Sequence, residues 1–77
     1  MNLERRSRID RLIGLLESAR EETGRLVGEA EDERQAMEGR GGEEYVAASS
    51  LRWRLGFAET SVRMAIAFLR EAKGREE

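Results

Sequence analysis

The chain has 77 residues, 14 of them basic and 16 acidic, for a net charge of −2, and contains no cysteine, histidine or proline. One small domain is the ceiling at that length, and no disulfide or cysteine- or histidine-ligated metal can brace it. Serine–histidine and cysteine-nucleophile chemistry are absent with their residues, so the expectation is a non-enzymatic protein without a cofactor.

The start, Met1-Asn2-Leu3-Glu4-Arg5-Arg6, lacks the apolar centre of a secretion signal. The longest uninterrupted apolar run, Met64 to Leu69, is far too short to span a bilayer. A cytoplasmic protein with no membrane partner is the expectation. Abundant Ala, Leu, Glu and Arg favour helix nearly throughout. Ile9, Leu12, Ile13, Leu16, Ala19, Thr23, Leu26, Val27, Ala30 and Met37 recur at helical spacing with charges between them. This predicts one helix over residues 3–38, capped by Asn2 or by the alternative Ser7-Arg8-Ile9-Asp10. Gly14, Gly24 and Gly28 lie inside it and suggest close approach by another helix.

Gly39, Gly41 and Gly42 end the first helix and permit a tight reversal over residues 39–43. A second helix follows over residues 44–73, continuous through Ser49-Ser50. The predicted fold is all-α: a single domain, residues 1–77, forming an antiparallel two-helix hairpin.

The second helix is apolar around most of its circumference. Trp53, Phe57, Thr60, Met64, Ala67 and Phe68 make one stripe, and Leu51, Leu55, Val62, Ala65, Ile66 and Leu69 cover much of the rest. One partner helix cannot bury all of that, and a core this small is marginal without a staple. The expectation is therefore a symmetric helical-bundle homo-oligomer, from dimer to hexamer. Its interface would use Trp53, Phe57, Met64, Phe68, Leu55, Val62, Ile66 and Leu69. A heterologous protein partner is the alternative occupant.

Charge is uneven: residues 1–20 carry +2, residues 21–44 carry −6 and residues 45–77 carry +2. In a hairpin, Arg5, Arg6, Arg8 and Arg11 gather near Arg63, Arg70 and Lys73, and acids collect at the loop end. An arginine pocket for a phosphate is the functional reading, since planar guanidinium forks suit it. A solvated surface with local pairs, Asp10 near Arg6 and Glu17 near Arg20, is the plainer one. Glu29 to Glu33 would neighbour Arg52 and Arg54 across the hairpin. Tyr45 packs at the turn or stacks on a base, and Trp53 is an interface anchor or a stacking platform. Thr60 bonds its own backbone or a ligand.

Magnesium-dependent all-α nucleotide pyrophosphohydrolases of the MazG type need paired acidic motifs on neighbouring helices. Glu29-x-x-Asp32 supplies one, and the second helix offers only Glu59 and Glu71. Net acidity and the lack of a recognition helix argue against duplex nucleic acid as a partner.

Leu51-Arg52-Trp53-Arg54 through Phe68-Leu69-Arg70 resembles the second hairpin helix of phage-encoded anti-CBASS cyclic-nucleotide sponges, with an Arg-Trp pair opening an apolar helix that closes on another arginine. Thr23-Gly24-Arg25-Leu26-Val27 is similar to a pattern on that family's first helix. The resemblance implies a symmetric oligomer of hairpins that sequesters cyclic di- or trinucleotide immune signals between protomers without turnover. It would place Arg52 and Thr60 at the ligand, with Arg70 at a matching position.

Overall fold

The computed structural model describes residues 2–76. They form two helices, α1 (Leu3–Ala36) and α2 (Gly42–Arg75), packed against each other as an antiparallel hairpin. Asn2 caps α1: its side-chain oxygen accepts the Arg5 backbone N–H at 2.9 Å. The Met37 N–H bonds to both Glu33 and Arg34 carbonyls at 3.2 Å, tightening the final turn. This ends α1 two residues short of the expected 38. Gly39, Gly41 and Gly42 then take φ of +87°, +67° and +78°, values that side chains resist, and reverse the chain. The second helix begins at Gly42 rather than residue 44 and continues through Ser49-Ser50. It also passes the expected end at residue 73, because Arg5 holds Glu76 at 2.9 Å across the hairpin.

The helices meet along a seam that repeats every seven residues. Ile9, Ile13, Leu16, Thr23, Val27 and Ala30 supply it from α1, and Ala48, Leu55, Val62, Ile66 and Leu69 from α2; all are buried or half-buried. The register is fixed by cross-hairpin pairs: Arg34 meets Tyr45, Glu31 meets Arg52, Glu17 meets Arg70 and Asp10 meets Lys73. Among the described residues, only Ile13, Ala30, Ala48 and Ile66 are buried. Gly14, Gly24 and Gly28 are exposed, and a β-carbon at any of them would meet open space. They do not mediate close approach within the hairpin, because the seam passes along a different side of α1.

The seam divides the hairpin into two broad faces with opposite chemistry. One step beyond the seam positions stand Asp10, Glu17 and Glu31 on α1, and Ser49, Gly56, Arg63 and Arg70 on α2. These flanks share a face, as the 2.8 Å Glu17–Arg70 pair shows. One step before the seam positions stand Leu12, Ala19 and Leu26 on α1, and Leu51, Ala58, Ala65 and Ala72 on α2. They form the opposite, apolar face. Further round α2, Val46, Trp53, Phe57, Met64 and Phe68 run along its outer side, each more than half exposed.

The result is a rod of 58 × 15 × 12 Å. Its accessible surface is 5777 Å². A compact monomer of this mass exposes about 4,800 Å². No helix among the described residues is long and apolar enough to cross a membrane.

Candidate functional site

The polar face carries three shallow depressions joined end to end. The first, of 320 Å³, is lined by Glu31, Arg34, Tyr45, Ser49, Arg52 and Trp53. The second, of 300 Å³, is lined by Val27, Arg52, Trp53, Gly56, Phe57, Glu59, Thr60 and Arg63. Arg52 and Trp53 form the wall common to both. Glu59 connects the second to a third, lined by Glu17, Arg20, Glu21, Gly24 and Arg70.

Glu31 organises the loop-proximal end. Its carboxylate accepts Arg34 Nη2 at 2.6 Å, Arg34 Nε at 3.2 Å, Arg52 Nε at 3.0 Å and Gln35 Nε2 at 3.3 Å. The Arg34 hydrogen bonds are the main reason its carboxyl sits at about 2, below the usual 4.5, despite the opposing effect of burial. Arg34 is held protonated above its ordinary range by the same carboxylate and by Tyr45 Oη at 3.3 Å. Two guanidinium groups thus converge on one carboxylate, leaving a local excess of positive charge. Ser49 Oγ, in the same depression, is buried without a hydrogen-bond partner.

Arg52 is held through Nε alone, in the hydrogen bonds described. Its Nη1 lies over Gly56, where an added β-carbon would stand only 2.8 Å away. A glycine four residues on therefore lets the guanidinium lie flat along α2 with its terminal nitrogens at the second depression. Beside it, Trp53 and Phe57 pair with ring centroids 5.7 Å apart at 35°. Their side chains remain 65% and 62% exposed. Arg63 contacts Glu59 only at 3.9 Å, and Thr60 lines the same depression.

Arg52, Thr60 and Arg63 thus share one depression, Tyr45 lines the first and Arg70 the third. Arg8 and Arg11 line none of the three. Arg63 lies opposite the middle of α1, beside Val27, instead of at the terminal end with Arg70 and Lys73. The terminal end is an ion-pair zipper: Arg5–Glu76 at 2.9 Å, Lys73–Asp10 at 2.6 Å and Arg70–Glu17 at 2.8 Å. The Arg5 hydrogen bond draws the Glu76 carboxyl below its ordinary value. Asp10 and Glu17 turn across the hairpin to Lys73 and Arg70, where the sequence suggested Arg6 and Arg20. Of the two arginines expected beside Glu29 to Glu33, Arg52 finds Glu31, whereas Arg54 forms no such pair because it projects from the other side of α2.

The eight residues expected at an interface between copies divide in two. Ile66 is 2% exposed, and Leu55, Val62 and Leu69 are half-buried. These four belong to the intramolecular seam, which α1 already covers. Trp53, Phe57, Met64 and Phe68 remain on the surface. Arg34, Ser49 and Gly56 were not anticipated at the site. Arg34 could have been found from its seven-residue relation to Val27 on the seam; Ser49 gave no signal, and Gly56 none beyond being a glycine four residues after an arginine. Among the described residues, no three carboxylates converge to hold a metal ion. Set against protein-family models, curated proteins and solved structures, the chain matches none.

Proposed function

We propose that this protein binds, without turnover, a small ligand carrying phosphates and flat bases, of the cyclic di- or trinucleotide class. The ligand would lie along the polar face of α2, with a second copy of the chain closing the groove. The observation that carries this reading is the placement of Arg52. A guanidinium fixed by Glu31, over a glycine and beside two exposed rings, offers phosphate contact and base stacking at one place. Arg63 and the Thr60 hydroxyl supply further donors on the same wall. The depressions are too open to enclose a nucleotide by themselves. The uncovered Trp53, Phe57, Met64 and Phe68 beside them supply an apolar surface on which another protomer can seat. The chemistry required is retention, and a sponge that lowers the free concentration of a nucleotide immune signal needs nothing more.

Isothermal titration with a panel of cyclic di- and trinucleotides tests this directly. Saturable binding of at least one, with the ligand recovered intact, supports the proposal. Absence of heat across the panel overturns it, as does magnesium-dependent release of phosphate or pyrophosphate.

The same exposed stripe supports a second reading, a helical module that docks on another protein. In that case the stripe is the functional surface, and the arginines act only as solubilising groups around it. The nucleotide panel then gives no response.

A further inference from the structure

The apolar face on the opposite side of the hairpin is not used by this ligand reading, and its sequence has a symmetry of its own. Along α1, Arg5, Leu12, Ala19, Leu26 and Glu33 follow at strict seven-residue intervals on one flank of the seam. The row reads base, leucine, alanine, leucine, acid. Turned end for end it matches its own complement: leucine falls on leucine, alanine on alanine and arginine on glutamate. Leu12 and Leu26 are 46% and 43% exposed, and Glu33 lies open to solvent. Arg5 keeps 59% of its side chain exposed while bonded to Glu76.

The second helix continues the face in the matching register. The hairpin's pairing sets Ala19 beside the level of Ala65, so a twofold axis through Ala19 also passes close to Ala65. About that axis Ala58 falls against Ala72. Three alanines on one flank allow the two helices of a facing copy to approach closely.

We infer that this face is a twofold interface with a second copy of the chain, packed antiparallel so that the loop end of one hairpin covers the terminal end of the other. Three observations select a second copy. The first is the palindromic row itself, which satisfies the self-complementarity of an isologous contact. The second is lengthwise charge: +2 over residues 1–20 against −6 over residues 21–44 opposes parallel packing and favours the reversed one. The third is area, since the rod's surface of 5777 Å² exceeds that of a compact monomer by about 1,000 Å². A standard interface takes about 800 Å² from each partner. This interface stands apart from the ligand groove and does not depend on it.

The chain lacks cysteine, so single introduced thiols report the geometry. In Ala19→Cys, two copies of residue 19 meet at the axis, and mild oxidation should give a disulfide-linked dimer. Ser18→Cys, exposed on the outer side of α1 and lining none of the depressions, should stay largely monomeric under the same oxidation. Orientation is read by mixing Leu12→Cys with Leu26→Cys: antiparallel packing joins the unlike variants in preference to either like pair. Charge is read by Arg5→Glu, which should weaken dimerisation about tenfold, and by its combination with Glu33→Arg, which should restore it. Equal crosslinking of Ala19→Cys and Ser18→Cys would overturn the interface. Failure of the Leu12→Cys and Leu26→Cys variants to join would overturn its orientation. Failure of the charge swap to restore dimerisation would overturn the Arg5–Glu33 complementarity.

Discussion

Gly56 lies directly beneath the Arg52 guanidinium, so that a β-carbon at 56 would come within 2.8 Å of Arg52 Nη1. The space is a steric requirement of the arginine, since residue 56 has ordinary helical backbone and is not among the glycines with positive φ. Alanine there favours the helix by about 1 kcal/mol in propensity. The far end of a flexible side chain can move aside at small cost. Gly56→Ala is therefore expected to hold or raise thermal stability while lowering nucleotide affinity roughly tenfold, as the guanidinium swings off the groove. Calorimetric titration and a melting curve on the same sample check both halves. Unchanged affinity would show that the flat placement of Arg52 is irrelevant to binding.

Arg52→Ala with Arg63→Ala removes both cations from the second depression. Each arginine–phosphate contact is worth about 1.5–3 kcal/mol. The pair should therefore weaken nucleotide binding by roughly a hundredfold or more, with the sedimenting mass unchanged. An affinity within twofold of the parent chain would remove the proposed site. A fall in mass would instead assign these arginines to assembly.

The Glu31 carboxyl is depressed from 4.5 to about 2 in the folded chain, chiefly by Arg34. Between those values the unfolded chain binds the proton more readily, so stability rises with pH across this window. The contribution is complete above the unfolded value and is lost as pH falls through about 2. Glu31→Gln should therefore flatten the acid limb of the stability profile between pH 4.5 and 2, relative to the parent chain. Denaturant melts at intervals of pH measure it, and superimposable acid limbs would contradict the assigned role of Arg34.

Much of the fold could be read from the chain because its signals are local and agree with one another. The apolar repeat of α1, the glycine cluster at 39–42 and the continuous run of α2 give a hairpin, and a hairpin is what forms. The register was less accessible. It depends on which carboxylate finds which base, and Asp10 and Glu17 had partners both within their own helix and across the gap. The cross-hairpin partners hold them at 2.6 and 2.8 Å because the seam brings Lys73 and Arg70 alongside. The hairpin arrangement alone grouped Arg63 with Arg70 and Lys73 at the terminal end, whereas the register sets it opposite the middle of α1. Arg52 and Thr60 entered as candidates through the family resemblance, and they line one depression together with Arg63. Ser49 and Gly56 carry no charge or ring to announce themselves.

Among the described residues, Ile66 is the most deeply buried apolar one, at 2% exposure, in a core of four. Its truncation leaves a cavity that two helices can only partly close. Ile66→Ala should cost about 2–4 kcal/mol, read as a shift in the urea midpoint with little change in slope. A loss below about 1 kcal/mol would mean that the seam contributes less than its burial implies.

The closed ligand groove and the twofold face both require that the exposed apolar surfaces of the hairpin be covered by further copies of the same chain. Sedimentation equilibrium of the unmodified protein measures this most directly. At micromolar concentration the expected mass is at least twice 8.8 kDa, in whole multiples of it, falling toward one chain only on strong dilution. A fully helical, cooperatively folded species of 8.8 kDa that persists to about 0.2 mM would contradict it.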